Sequence, residues 1–304
     1  MSKIYDVVII GAGPAGMSAA IYAKRAGLSV GMIEYSAPGG KMVKTAEILN
    51  YPSFTQINGV DLSLKMFEQV QNLEVDYLYG EVIDLKDGNI KEIICKDGTV
   101  YQGKVVIVAT GTNPNPLNIP GEDTFISKGV SYCAICDGSF FKNKVVAVIG
   151  GGNSALEESL YLTQFVDKLY IIIRRDVFRA EAIIQEKVLK HPKIEIIRNH
   201  IPIEIKGDDK VDTLCIQDVQ TKEITELKVD GIFPYIGATP STAFLKHLDV
   251  LDDRGYIVVN DKMETTIPGI YGAGDCNVKH LRQIVTAVND GAIAGQNSYH
   301  YLND

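Results

Sequence analysis

From Ile4 the chain is apolar almost without a break to Ile10, turns at a cluster of glycines, continues as an alanine-rich stretch to about residue 26, and returns to an apolar run that ends at Glu34. A short apolar run bounded by glycine reads as a buried strand and the alanine-rich stretch over 14–26 as a helix, so 4–34 is predicted as a strand, glycine turn, helix and strand with parallel strands. The pattern repeats over 144–175, "KVVAVIGGGNSALEESLYLTQFVDKLYIIIRR". A repeat of this kind predicts two dinucleotide-binding folds in one chain.

Two stretches rich in Gly, Pro, Asn and Thr, "GTNPNPLNIPG" (111–121) and "YIGATPST" (235–242), each follow an apolar strand and read as linkers. The expected architecture is therefore α/β, with two Rossmann-like domains of three-layer β/β/α type, the second inserted in the first. The outer domain takes 1–113 and 243–304, and the inner one takes 114–242.

The first glycine turn is Gly11-x-Gly13-x-x-Gly16, with Glu34 closing the second strand. The first glycine allows the tight turn, the second lets backbone approach a pyrophosphate, and the third allows close helix packing, while the acid accepts a ribose hydroxyl. A bare ribose, as in FAD or NAD, is expected there. In the second turn, Gly150-x-Gly152-x-x-Ala155, the place of Glu34 is taken by Ile173, followed by Arg174, Arg175 and Arg179. Loss of the acid and gain of guanidinium groups suits a 2′-phosphate and points to NADP rather than NAD. The competing reading is a solvated strand end.

Near the C-terminus, "GIYGAGDCNVKHLRQIVTAVNDGAIAGQN" is predicted as a short strand leading through Gly-Asp into a helix of about fifteen residues, with Asp275 at its N-cap. "VVIVATG" predicts a buried strand ending at Thr110 and Gly111.

Composition narrows the partners. The chain of 304 residues is 46% hydrophobic and carries a net charge of −8, which argues against a general binder of nucleic acid or anionic membrane. No apolar run reaches the roughly 20 residues that span a bilayer, and no secretory leader pattern opens the chain. A cytoplasmic protein is expected. Of five cysteines, Cys133 and Cys136 form a Cys-x-x-Cys pair followed by Asp137, in "SYCAICDGSF". A zinc site would need a second such pair or a histidine cluster, which the sequence lacks, and a two-residue loop makes a weak structural staple. A redox pair is the reading that remains. Asp137 can deliver the proton that dithiol chemistry requires, although "CDGS" is also good turn chemistry in its own right.

The ordered series "GAGPAG", "PGGK", "EILNYP", "VIVATG", "GVSYCAICDG", "VIGGGNSALEE", "RRDVFRA", "ETTIPGIYGAGDC" and "RQIVTAVNDG" resembles the low-molecular-weight thioredoxin reductases of bacteria and their relatives, over nearly the whole chain. The resemblance implies that Gly11, Gly13, Pro14, Gly16 and Glu34 hold the ADP half of FAD. Gly40, Lys41, Asn50, Thr110, Gly111, Asp275, Arg282 and Gln283 would take its ribityl and ring portion. Gly150, Gly152, Asn153 and Ser154 would meet the NADPH pyrophosphate, and Arg174, Arg175 and Arg179 its 2′-phosphate. It further implies a relay from NADPH through the flavin to the Cys133–Cys136 disulfide, with Cys136 nearer the flavin, Asp137 as proton donor and Cys133 exchanging with thioredoxin. The family's members are homodimers whose NADPH domain rotates, so the hinge is expected at the two linkers. Two departures stand out: Lys41 where relatives usually carry Gln, and Ile173 where they commonly carry His. A ferredoxin-fed relative is disfavoured because the second glycine turn and its arginines persist; a nucleotide-binding redox sensor without turnover is the rival from another class.

Overall fold

The computed structural model describes residues 3–45 and 48–303; Glu47 of "EILNYP" lies outside the described residues. The chain divides into two compact units, 1–113 with 239–304 and 114–238, where the sequence reading expects the return at 242/243.

In unit 1, β1 (Ile4–Ile10), α1 (Pro14–Arg25) and β2 (Val30–Glu34) are followed by α2 (Gly59–Asn72), β3 (Asp76–Tyr79), β4 (Val82–Lys86), β5 (Lys91–Cys95), β6 (Val100–Val108) and the short β7 (Thr112–Pro114) that leads out of it. The chain order of unit 2 is α3 (Glu122–Phe125), α4 (Ala134–Asp137), β8 (Val145–Ile149), α5 (Asn153–Leu162), β9 (Lys168–Ile173), α6 (Ala182–Leu189), β10 (Ile194–Arg198), β11 (His200–Gly207), β12 (Val211–Asp218), β13 (Ile224–Lys228) and β14 (Gly231–Pro234). The chain then returns through β15 (Ala238–Pro240) to β16 (Ile270–Gly272) and α7 (Ile284–Asn303).

Unit 1 is built on one sheet of order β3-β2-β1-β6-β5-β4, with β16 also paired to β6. Strands β3, β2, β1, β6 and β16 are parallel and β4–β5–β6 antiparallel. Alternation along the strands makes two cores. Val7, Ile9, Met32 and Ile107 face Ala19 and Ala20 of α1 and Ala294 of α7. Val8, Ile10, Val106 and Val108 face Leu85, Ile93, Leu245 and Ile257 on the other side.

Unit 2 repeats the arrangement. Its parallel sheet β10-β9-β8-β14 buries Val146, Val148, Leu169 and Ile171 against Leu156 and Leu162 of α5, and Ala147, Ile149 and Ile172 against Leu214 and Ile216 of the antiparallel sheet β11-β12-β13. Each unit is thus helices on sheet on β-layer, because strands buried on both faces need an apolar cover on each side. Among the described residues no helix is long and apolar enough to cross a membrane.

Candidate dinucleotide and dithiol sites

The first glycine turn joins β1 to α1. Gly11 has φ +106°, and a Cβ there would stand 2.5 Å from the Ala109 carbonyl oxygen; one on Gly16 would stand 1.8 Å from the Gly11 oxygen. Both glycines are required by the protein's own backbone. Gly13, the N-cap of α1 ahead of Pro14, differs: a Cβ on it meets nothing within 4 Å. The open side of the turn is therefore at the residue that must let a ligand approach, beside free N–H groups of a helix start. Thr110 Oγ1, next to this turn, is buried with no hydrogen-bond partner among the described residues, and Gly111 also faces open space. An unpartnered buried hydroxyl and two open glycines are what a bound polar ligand would complete.

Glu34 is buried, and its carboxylate organises the loops: Oε2 accepts from Ala12 N at 3.0 Å, while Oε1 accepts from Tyr35 N, Ser36 N and Ser36 Oγ, each at 3.0 Å. Oε2 retains capacity for a second donor such as a hydroxyl. Gly39 N donates to Ala12 O at 2.8 Å, which sets Gly40 against Gly13.

Further residues of the same unit meet in pairs. Lys41 Nζ donates to Asp275 Oδ2 at 3.1 Å and to Thr112 Oγ1. Asn50 Nδ2 donates to Gln283 Oε1 at 3.1 Å. Asp275 is not an N-cap, because α7 begins only at Ile284 and residues between them form a separate loop. Arg282 shapes that loop: its guanidinium donates to the carbonyls of Asp275, Asn277 and Lys279 at 3.0–3.2 Å and lies 4.3 Å from the Tyr256 ring centroid.

In unit 2 the second glycine turn has the same form. Gly150 has φ +142° and would clash with the Tyr235 carbonyl oxygen, whereas Gly152 faces open space. Asn153 is engaged with Glu181, its Nδ2 donating to Oε1 and its Oδ1 accepting from Glu181 N, both at 2.8 Å. Ser154 is exposed beside it. Ile173 is buried at the end of β9, while Arg174, Arg175 and Arg179 are exposed, and Arg179 N donates to Gly151 O at 2.7 Å. No salt bridge among the described residues pairs these three arginines with a carboxylate, so a cationic patch stands beside the open turn.

The dithiol lies in unit 2. Cys133 and Cys136 are joined as a disulfide, with Cα atoms 5.3 Å apart, at the two ends of the first turn of α4. Cys136 is exposed and Cys133 half-buried. Cys133 Sγ accepts from Cys136 N at 3.2 Å, Cys133 N donates to Ser131 Oγ at 3.1 Å, and Ala134 N donates to Tyr235 Oη at 3.2 Å. A backbone donor aimed at Cys133 favours that sulfur as thiolate once the bond opens. Asp137 is half-buried, and its N–H donates to Cys133 O. The other cysteines, Cys95, Cys215 and Cys276, are buried; burial pushes the Cys276 thiol up to about 11, which removes it from thiolate chemistry. Among the described residues no group of three or more His, Cys, Asp or Glu could hold a metal ion.

The model of the pyridine nucleotide-disulphide oxidoreductases matches residues 5–291. The chain belongs to this family. Thioredoxin reductases from Listeria innocua and Bacillus subtilis are 46% and 45% identical to it, each over 99% of this chain and 95% and 96% of their own lengths. A crystal structure of the Lactococcus lactis thioredoxin reductase superposes with a TM-score of 0.97 at 47% identity, covering 98% of this chain and 99% of that one. This member of the family is a flavoprotein-type disulfide oxidoreductase with two Rossmann-like domains. Sequence reasoning missed Thr112, Tyr256 and Tyr235, which the fold brings against Lys41, Arg282 and the dithiol segment, and it gave no role to Ser131, although that residue lies within "SYCAICDGSF" and accepts from Cys133 N.

Proposed function

We propose that the chain is an NADPH-dependent thioredoxin-disulfide reductase, with FAD in unit 1 and NADPH in unit 2. The observation that supports this most is the pairing, within one unit, of a disulfide-linked Cys133–Cys136 with an open glycine turn at Gly152 flanked by Arg174, Arg175 and Arg179. Gly11, Gly13, Pro14, Gly16 and Glu34, with Gly40, Lys41, Asn50, Thr110, Gly111, Asp275, Arg282 and Gln283, would hold FAD; Gly150, Asn153 and Ser154 complete the NADPH turn. Bound FAD would supply two-electron chemistry between the nicotinamide hydride and the disulfide.

The residues then have distinct tasks. In the dithiol state Cys133, favoured as thiolate by Cys136 N–H, attacks the partner's disulfide and releases one partner sulfur as thiol; Cys136 then attacks the mixed disulfide, and the second partner sulfur leaves. One disulfide forms on this chain as one is broken on thioredoxin. Asp137 supplies the proton for the departing sulfur. The enzyme acts as a cytoplasmic homodimer.

The test uses the purified protein. It should be yellow, NADPH should bleach it, and thioredoxin should be reduced catalytically; Cys133→Ser should abolish turnover while bleaching survives. A flavin that NADPH reduces without any turnover on thioredoxin would favour a redox sensor instead.

A further inference from the structure

Glu122 is almost wholly buried, yet it belongs to neither glycine turn nor to the dithiol. Its Oε1 accepts from Leu117 N at 2.7 Å and from Tyr132 Oη at 2.6 Å, and its Oε2 accepts from Asn118 N at 2.7 Å. Leu117 and Asn118 belong to the segment by which the chain enters unit 2, and the turn around the carboxylate is tight, with Asn118 at φ +57° and Gly121 at φ +89°. Tyr132 immediately precedes Cys133, and its ring packs with Leu117 and Ile119 on the core between the two sheets of the unit. Burial, followed by the hydrogen bond to Glu122, raises the phenol's pKa, so the hydroxyl stays a donor.

We propose that Glu122 is a positioning residue for the Cys133–Cys136 couple, acting through Tyr132 to fix the backbone that carries Cys133. The inference rests on the redox reading of that pair. When the disulfide opens, segment 133–136 loses its covalent closure, and what continues to hold Cys133 near Cys136 is non-covalent: within the turn, the Cys136 N and Asp137 N bonds to Cys133 Sγ and O, and from outside it the Ser131 Oγ contact to Cys133 N, the Tyr235 contact to Ala134 N, and the Tyr132–Glu122 bond. Tyr132 and Glu122 keep the two sulfurs at high effective concentration, which favours the disulfide against external thiols.

The experiment equilibrates the flavin-loaded full-length protein anaerobically with glutathione buffers, in the exchange of one protein disulfide and two glutathione thiols for one protein dithiol and one glutathione disulfide. Acid quenching, alkylation and peptide mass analysis then give the fraction of dithiol. Tyr132→Phe should shift the equilibrium constant about three- to tenfold toward the dithiol, equivalent to about 15–30 mV. Glu122→Leu, which leaves Tyr132 no acceptor, should shift it the same way, and the two effects should not add in the double variant, since both remove the Tyr132–Glu122 bond. Tyr132→Phe removes only a hydroxyl, so it reports even where Glu122→Leu is poorly folded. Variants that lower the melting temperature but leave the equilibrium constant within about twofold of the parent would overturn the proposal, making Glu122 a turn stabiliser only. The readout needs neither NADPH nor thioredoxin, so this outcome is separate from any failure of the enzyme assay.

Discussion

Lys279 and Asp290 form an ion pair at 2.6 Å with their side chains 13% and 8% exposed. The same Asp290 carboxylate accepts from Gly274 N at 3.0 Å, so one residue of α7 fixes both ends of the loop that carries Asp275. Removing one partner of a buried pair strands the other charge, whereas removing both does not. Asp290→Ala should lower stability by about 3–5 kcal/mol in urea unfolding, and the Lys279→Met/Asp290→Leu pair should recover most of the loss. A single substitution costing under about 1 kcal/mol would mean that the ammonium finds water instead.

The glycines of the first turn should separate folding from binding. Gly13→Ala adds a methyl into open space at a φ of −78°, so stability should change by less than about 0.5 kcal/mol while flavin content after purification falls sharply. Gly16→Ala forces a methyl onto the Gly11 carbonyl and should yield little folded protein. Absorbance ratios and melting curves decide the matter; full flavin content in Gly13→Ala would speak against the cradle.

Much of the fold class was legible because it rests on local periodicity: apolar strands, a glycine turn and an alanine-rich helix announce themselves within thirty residues or so. The contacts of the candidate site were not. Lys41 with Asp275, and Asn50 with Gln283, join segments more than two hundred residues apart, and nothing in either neighbourhood marks its partner. Asp275 was misread as an N-cap because Gly-Asp before a helical pattern is ordinarily a helix start; here a loop whose carbonyls accept from Arg282 intervenes, and α7 begins only at Ile284.

Glu158 of α5 has a buried carboxylate oxygen with no partner among the described residues, and burial, then the charge of Glu157, pushes its pKa from 4.5 up to about 8. Folding therefore takes up a proton between about pH 4.5 and 8, and stability from this group falls as pH rises through that window. Glu158→Gln cannot ionise: it should match the parent below pH 4.5 and exceed it by roughly 1–3 kcal/mol at pH 8. Melting curves at the two pH values check this, and an equal difference at both would exclude titration as the cause.

The unpaired arginines beside the second turn should set nucleotide choice. Each charge-assisted bond to a phosphate contributes about 1.5–3 kcal/mol. Arg174→Ala or Arg175→Ala alone, each losing one such bond, should therefore raise the KM for NADPH about 10- to 100-fold and leave that for NADH nearly unchanged. Equal losses with both nucleotides would remove the 2′-phosphate from the argument.

The crossing points carry a consequence for construction. Ser241 N donates to Gly111 O inside unit 1, and Asn115 N donates to Gly237 O inside unit 2, so each unit has its two severed ends side by side. The inner unit can be cut out as a single uninterrupted peptide with both cores intact, and the outer one can be closed by a link of a few residues from 113 to 239. Either half can then be recombined with a relative's counterpart, which makes the chain a natural substrate for domain exchange.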